Sequence, residues 1–136
     1  MKVERRVAAW EWMGIEEVEA HDGRAVLEMT AAEHMANYSG NLHGGLISTL
    51  ADSAMGRAMY TLRPPVARGA SFDLKLNFIA SAKIGERIRA AGSIVHAGRR
   101  TVVAECRVEG AEGRLIATAS ATFMVKREEE QRPGAD

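Results

Sequence analysis

A chain of 136 residues is long enough to bury a real core and too short for two comfortable ones. Its 18 Lys and Arg balance 18 Asp and Glu, so no overall field draws it to nucleic acid or an anionic membrane, and an anionic ligand must be met by a local cluster of cations. Cys106 is the only cysteine, which excludes an intramolecular disulfide; charged residues follow Met1, and no apolar run approaches the length of a membrane span, so a soluble cytoplasmic protein without a secretory leader is expected.

Val3, Val7, Trp10 and Met13 or Gly14 recur at helical spacing among Glu and Arg, which predicts a short amphipathic helix lying on the body of the fold, with Trp10 and Trp12 packing rather than binding. From Ile15 to Thr30 the period shortens to two around Asp22-Gly23, a hairpin signal. Residues 31–42 hold no period and contain Asn37, Tyr38, Ser39, Gly40 and Asn41, which predicts a loop.

The one long helix runs from Gly45 to about Tyr60. Leu46, Ile47, Leu50, Ala51, Ala54, Met55, Ala58 and Met59 cover most of its circumference, so burial nearly all round is expected. After Pro64-Pro65, Phe72, Leu74, Leu76 and Phe78 alternate with Asp73, Lys75 and Asn77, the pattern of a half-buried strand. Turn signals at residues 83–86, 97–99 and 110–113 then separate strands over about 87–96, 100–109 and 114–126, antiparallel neighbours by their short connections. One long helix and a run of antiparallel strands make an α+β domain with the sheet wrapped around the helix. A single domain over 1–136 is expected, with residues from about 127 onward a flexible tail.

Asp52 is the sharpest anomaly. A carboxylate on a helix without a polar face must be paired, reached by solvent through a cleft, or raised in pKa; a structural role, as the cap of a neighbouring turn or as a partner of Arg57 or another Arg, is the plain alternative. His43-Gly44-Gly45 stands where the loop becomes the helix, and backbone N–H groups there can receive an oxyanion or a polarised carbonyl. A glycine pair at that place also serves close packing. Gly45 and Asp52 are seven residues apart, so they face the same way but stand roughly 10 Å apart along the axis. A base and an oxyanion donor must each lie within about 3 Å of the reacting atoms or of a bridging water, so a second chain has to supply one half. The spacing therefore predicts a dimer with two sites across its two-fold axis.

At Asn37-x-x-Gly40-x-x-His43-Gly44-Gly45, followed by Leu50-Ala51-Asp52-Ser53-Ala54, the sequence resembles the hotdog-fold thioesterases of the phenylacetic-acid-degradation type. The similarity runs on through Ser71-Phe72-Asp73-Leu74 and residues 81–86, covering about residues 12–126. The resemblance implies a hotdog fold and hydrolysis of acyl-coenzyme A. Asp52 of one subunit would activate water or attack directly, both options standing open, while the Gly44 N–H and Asn37 of the other polarise the carbonyl. Ser71 matches a position that holds the attacking water in some relatives, and His43 that of a structural residue shaping the turn.

Coenzyme A carries phosphates. Lys83, Arg99 and Arg100, with Arg127, are the candidate cations, and Gly45 with His43 would lie beside the substrate. No separate cofactor and no metal are implied, coenzyme A entering as part of the substrate; His21, His34 and His96 have no metal-ligand spacing. Cys106 reads as a small core residue. An apolar pocket lined by Leu46, Met55, Met59 and Tyr60 would take an aryl-acetyl or a medium aliphatic group. A homodimer, assembling further as a dimer of dimers, is expected. The alternatives are an acyl-CoA-binding protein without turnover and a thioester dehydratase or hydratase, the latter disfavoured by the absence of its His-Pro-Gly pattern.

Overall fold

The computed structural model describes residues 6–128. In chain order they form α1 (Ala8–Met13), β1 (Glu16–His21), β2 (Arg24–Thr30), α2 (Gly44–Met59), β3 (Val66–Phe78), β4 (Arg87–Ala97), β5 (Thr101–Glu109) and β6 (Leu115–Arg127). All pairings are antiparallel, and the six strands lie side by side in the order β1-β2-β4-β5-β6-β3. Helix α2 packs on one face, chiefly over β4, β2 and β5. One long helix against an antiparallel sheet is the arrangement expected of the hotdog fold. Among the described residues no helix is long and apolar enough to cross a membrane.

The hairpin β1–β2 closes through Asp22 and Gly23, both at positive φ (49° and 77°), the backbone that a two-residue turn between right-twisted strands demands. The inner face of the sheet is set by alternation. Leu27, Met29, Ile88, Ala90, Val102, Ala104, Val108, Ala117 and Ala121 are buried and form one core with Ile47, Leu50, Ala51, Ala54, Met55 and Met59 of the helix. Truncating Leu50, fully buried, to Ala would cost about 2–5 kcal/mol. Gly92 on β4 explains how close the layers lie, since a Cβ there would come within 2.9 Å of the Ala54 carbonyl.

Burial of α2 is one-sided rather than all round. The residues between the buried ones, including Ser48, Thr49, Asp52, Ser53 and Gly56, are only partly covered, because the sheet covers one stripe and, among the described residues, little besides Trp10 of α1 reaches the rest. The same shortfall corrects the reading of β3. Only Val66 of this strand is buried, and Phe72, Leu74 and Phe78 are exposed. Their alternation points to an apolar face, but β3 is an edge strand that the helix touches only in places, at Gly69 through Met59 and at Phe78 beside Gly44. A register shift between Ser71 and Asp73 inserts one residue, so Ser71 and Leu74, opposite Phe123 and Ala121, both face the helix side.

The α1 helix begins at Ala8, and Val3 lies outside the described residues. The expected tail is corrected at its start: β6 runs to Arg127, which is buried and donates to the carbonyls of Pro64 and Gly98 at 2.7 and 2.8 Å. The remainder of that tail, from residue 129, lies outside the described residues. At the other end, Glu86 clamps two turns. Its carboxylate accepts from Lys83 N (3.0 Å), Ala111 N (2.8 Å) and the Arg114 guanidinium (2.8 Å). Burial alone would raise its pKa, and these donors together outweigh burial and hold it below the ordinary glutamate value.

Candidate active site

The helix start is built by the loop before it. Asn37 Oδ1 accepts from the backbone N–H of Ser39 and of Asn41, each at 3.0 Å, and Ala36 bridges Leu42. With its oxygen committed to the loop, the Asn37 amide nitrogen is left as a donor. His43 is the N-cap of α2: its Nδ1 accepts from Gly45 N at 2.9 Å, which fixes that nitrogen as the unprotonated one. His43 thus shapes the turn and consumes one of the two glycine donors. Gly45, expected beside the substrate, has its N–H occupied. The Gly44 N–H has no partner among the described residues and is the free donor of the first turn.

Asn37 and Gly44 share a cavity of about 330 Å³ with Asn41, Leu42, Ile47, Phe78, Ile79, Ala80 and Ser81. The Phe78 ring lies where a side chain at position 44 would be crowded, 3.3 Å from the place of a Cβ, so glycine is what lets the aromatic wall reach the helix start. Leu42, Ile47 and Ile79 were not singled out from the sequence. Their signal is weak: Ile47 stands one helical turn after Gly44, and Phe78-Ile79 ends the apolar alternation.

Asp52 lies on the partly covered side of α2. Its Oδ1 is buried and has no hydrogen-bond partner among the described residues. Burial pushes the carboxyl above the ordinary aspartate value, and a hydrogen bond from the Ser71 hydroxyl opposes that in part. The alternative partner is engaged elsewhere, since Arg57 binds Glu17. On the next residue, the Ser53 hydroxyl accepts from the Trp10 indole at 3.0 Å, tying α1 to the helix beside the carboxylate. Eight positions separate Gly44 from Asp52, about 12 Å along the axis. One chain holds the carboxylate and the free donor on one helix without bringing them together.

The cations divide between two ends. Lys83 bridges Asn41 beside the cavity, whereas Arg99 and Arg100 sit in the β4–β5 turn, where the Arg100 carbonyl accepts from Val125 N. Arg127 is spent on carbonyls. The expected acyl pocket also needs correction. Met55 and Met59 are fully buried under the helix, Leu46 is only partly covered, and the exposed Tyr60 accepts from Gly69 N through its hydroxyl, so these four do not line one space. Cys106 is in the core, its thiol pushed up to about 12 by burial, far from thiolate chemistry.

Residues 39–117 match the thioesterase superfamily. Acyl-coenzyme A thioesterase 13 of Homo sapiens is 32% identical over 101 residues, 74% of this chain and 71% of that protein. Among solved structures, a hypothetical thioesterase protein of Streptococcus pneumoniae with coenzyme A aligns with a TM-score of 0.78 at 28% identity, covering 88% of both chains. The phenylacetic acid degradation protein PaaI of Thermus thermophilus aligns at 0.81 and 25% identity, over 88% of this chain and 99% of that one.

Proposed function

The chain belongs to the thioesterase superfamily, and on that premise we propose that it hydrolyses acyl-coenzyme A to free acid and coenzyme A with Asp52 as its essential carboxylate. The observation that carries this is Asp52 itself: a buried carboxylate oxygen without a partner, beside a hydroxyl, on the helix whose first turn offers an unused N–H. A structural carboxylate is satisfied. An unsatisfied one, raised toward neutrality, is suited to take a proton.

Asp52 removes a proton from water, with Ser71 orienting either the carboxylate or the water. The oxygen attacks the thioester carbonyl, and the oxyanion is received by the Gly44 N–H and the Asn37 amide. The carbon–sulfur bond then breaks, and the proton held by Asp52 passes to the leaving thiolate. Direct attack by Asp52 would instead form a mixed anhydride that water opens. Hydrolysis in ¹⁸O-water during a single turnover tests the second route, since water that opens the anhydride at the aspartyl carbonyl labels Asp52, which water attack on the thioester never does.

The two halves meet if two copies join. Edge strand β3 carries exposed Phe72, Leu74 and Phe78, and pairing it with a second β3 sets one chain's Asp52 toward the other chain's Gly44 and Asn37. The same antiparallel pairing carries the Arg99-Arg100 turn of one copy toward Lys83 of the other, a place for the phosphates of coenzyme A. Dimers of dimers would follow through other surfaces. The apolar wall of Leu42, Ile47, Phe78 and Ile79 suits an aryl-acetyl or medium-chain acyl group.

The test follows thiol release from aryl-acetyl, benzoyl and C2 to C16 acyl-CoA esters, with the parent chain and Asp52→Ala at equal folded concentration. Turnover that collapses in the variant supports the mechanism, and the panel names the acyl class. Absence of release, or release indifferent to the substitution, sinks it in favour of acyl-CoA binding without turnover.

A further inference from the structure

Resting on the water route of the reading above, we infer that Ser48 is a further residue of the site: its hydroxyl oxygen accepts a hydrogen bond from the attacking water while Asp52 takes the water's other proton. Its place on the helix and the state of its hydroxyl both point there.

Gly44, Ser48 and Asp52 recur at intervals of four along α2, each about 40° round the axis and about 6 Å along it from the last. They form one ridge, with Ser48 midway between the free N–H and the carboxylate. The Ser48 hydroxyl donates to the Gly44 carbonyl at 3.0 Å, so its oxygen is left only to accept. Thr49 makes the same bond to the Gly45 carbonyl, also at 3.0 Å, but stands about 100° round the helix from Ser48, off the ridge. In the shared site the second copy's Gly44 lies beside Asp52. Symmetry then brings the middle of the ridge nearest the two-fold axis, where Ser48 faces the substrate and not bulk water.

Water about to attack must place both protons on acceptors, so that a lone pair is left for the carbonyl carbon. Asp52 is the first acceptor. Asn37 and Gly44 offer only donors there. Ser71 already donates to the carboxylate, and a water bonded to two oxygens in such close contact would have both bonds bent out of line. Ser48 has no such conflict. Side chains four apart on a helix have Cβ atoms about 5–6 Å apart, and a water making two hydrogen bonds of about 2.8 Å bridges the oxygens they carry. Both residues are partly exposed, which leaves room for it. As the oxygen–carbon bond forms, the proton toward Asp52 transfers and later goes to the leaving thiolate; the proton toward Ser48 stays on oxygen and leaves with the product acid.

Ser48→Ala, Ser48→Thr and Thr49→Ala in the full chain test this, compared by thiol release from the ester turned over fastest and by thermal unfolding. Ser48→Ala should lower kcat about tenfold, the worth of one neutral hydrogen bond made in the transition state, with KM and Tm close to those of the parent. Ser48→Thr keeps a hydroxyl that can make the same bond to the preceding turn and should keep the rate. Thr49→Ala shows what loss of such a bond does by itself, and its kcat should not change. Equal losses in Ser48→Ala and Thr49→Ala, or no rescue by Thr, reduce Ser48 to a helix residue and overturn the inference. So does ¹⁸O found in Asp52, since an aspartate that attacks directly leaves no water between the two side chains. With Asp52→Asn inactive, the first two outcomes leave Asp52 as the essential carboxylate; an active Asp52→Asn, or no thiol release from any ester, overturns both readings.

Discussion

Two carboxylates at opposite places in the fold are treated in opposite ways. Glu86 sits in a turn with three donors, two backbone N–H groups and one Arg114 nitrogen that reaches both carboxylate oxygens, and its pKa is lowered. Asp52 sits on the long helix with one oxygen buried and bare, and its pKa is raised. The first charge holds two turns together; the second is kept at a cost in stability and is therefore placed to do chemistry. Burial acts on both, so the donors around each group decide which use it serves.

The comparison breaks most visibly at Asp52. Asp52→Asn should lower kcat/KM by about 10³-fold or more while leaving the fold intact, measured by thiol release against thermal unfolding. An active Asn variant would return Asp52 to a structural role. Glu86→Ala should do the reverse, costing about 1–2 kcal/mol by denaturant unfolding, since it removes the charged acceptor that joins two turns, with kcat/KM per folded molecule changed little.

pH sharpens the contrast. Glu86 has a lowered pKa, so its contribution is present above the ordinary glutamate range and is lost as pH falls through the lowered value. Asp52 has a raised pKa, so the folded chain holds its proton longer than the unfolded one. Stability then falls as pH rises from the ordinary aspartate range to the raised value, and Asp52→Asn should gain Tm only above that range. The acid limb of kcat/KM should likewise lie above the ordinary aspartate range and vanish with the residue. The smallest effect is expected at His43→Ala, about 1 kcal/mol of helix stability from the lost cap, with a modest change in KM as the Gly45 N–H is released.

Much of this was legible in the sequence where the signal is local. The Asp22-Gly23 turn, the span of α2 and the alternation of β4 to β6 follow from period and turn chemistry, and Asp52 stood out against its apolar helix. Less local facts were not. Phe72 to Phe78 read as half-buried because alternation records an apolar face without saying what covers it. Which of Gly44 and Gly45 keeps its N–H depends on the rotamer of His43, and Arg127 looked like tail because its acceptors, Pro64 and Gly98, are distant in sequence. Glu86 read as turn punctuation for the same reason, its partners lying at residues 111 and 114.

The hydrogen bond from Trp10 to Ser53 also makes the molecule its own optical instrument. That indole is anchored one residue from Asp52, whereas Trp12 is 57% exposed and stands edge-on to His34 at 4.7 Å. The chain's fluorescence thus has two components, one sensitive to the polarity around the helix carrying the carboxylate and the other to bulk water. Acyl-CoA binding should shift the blue component and leave the red-edge one in place, so occupancy could be followed by intrinsic emission without a label.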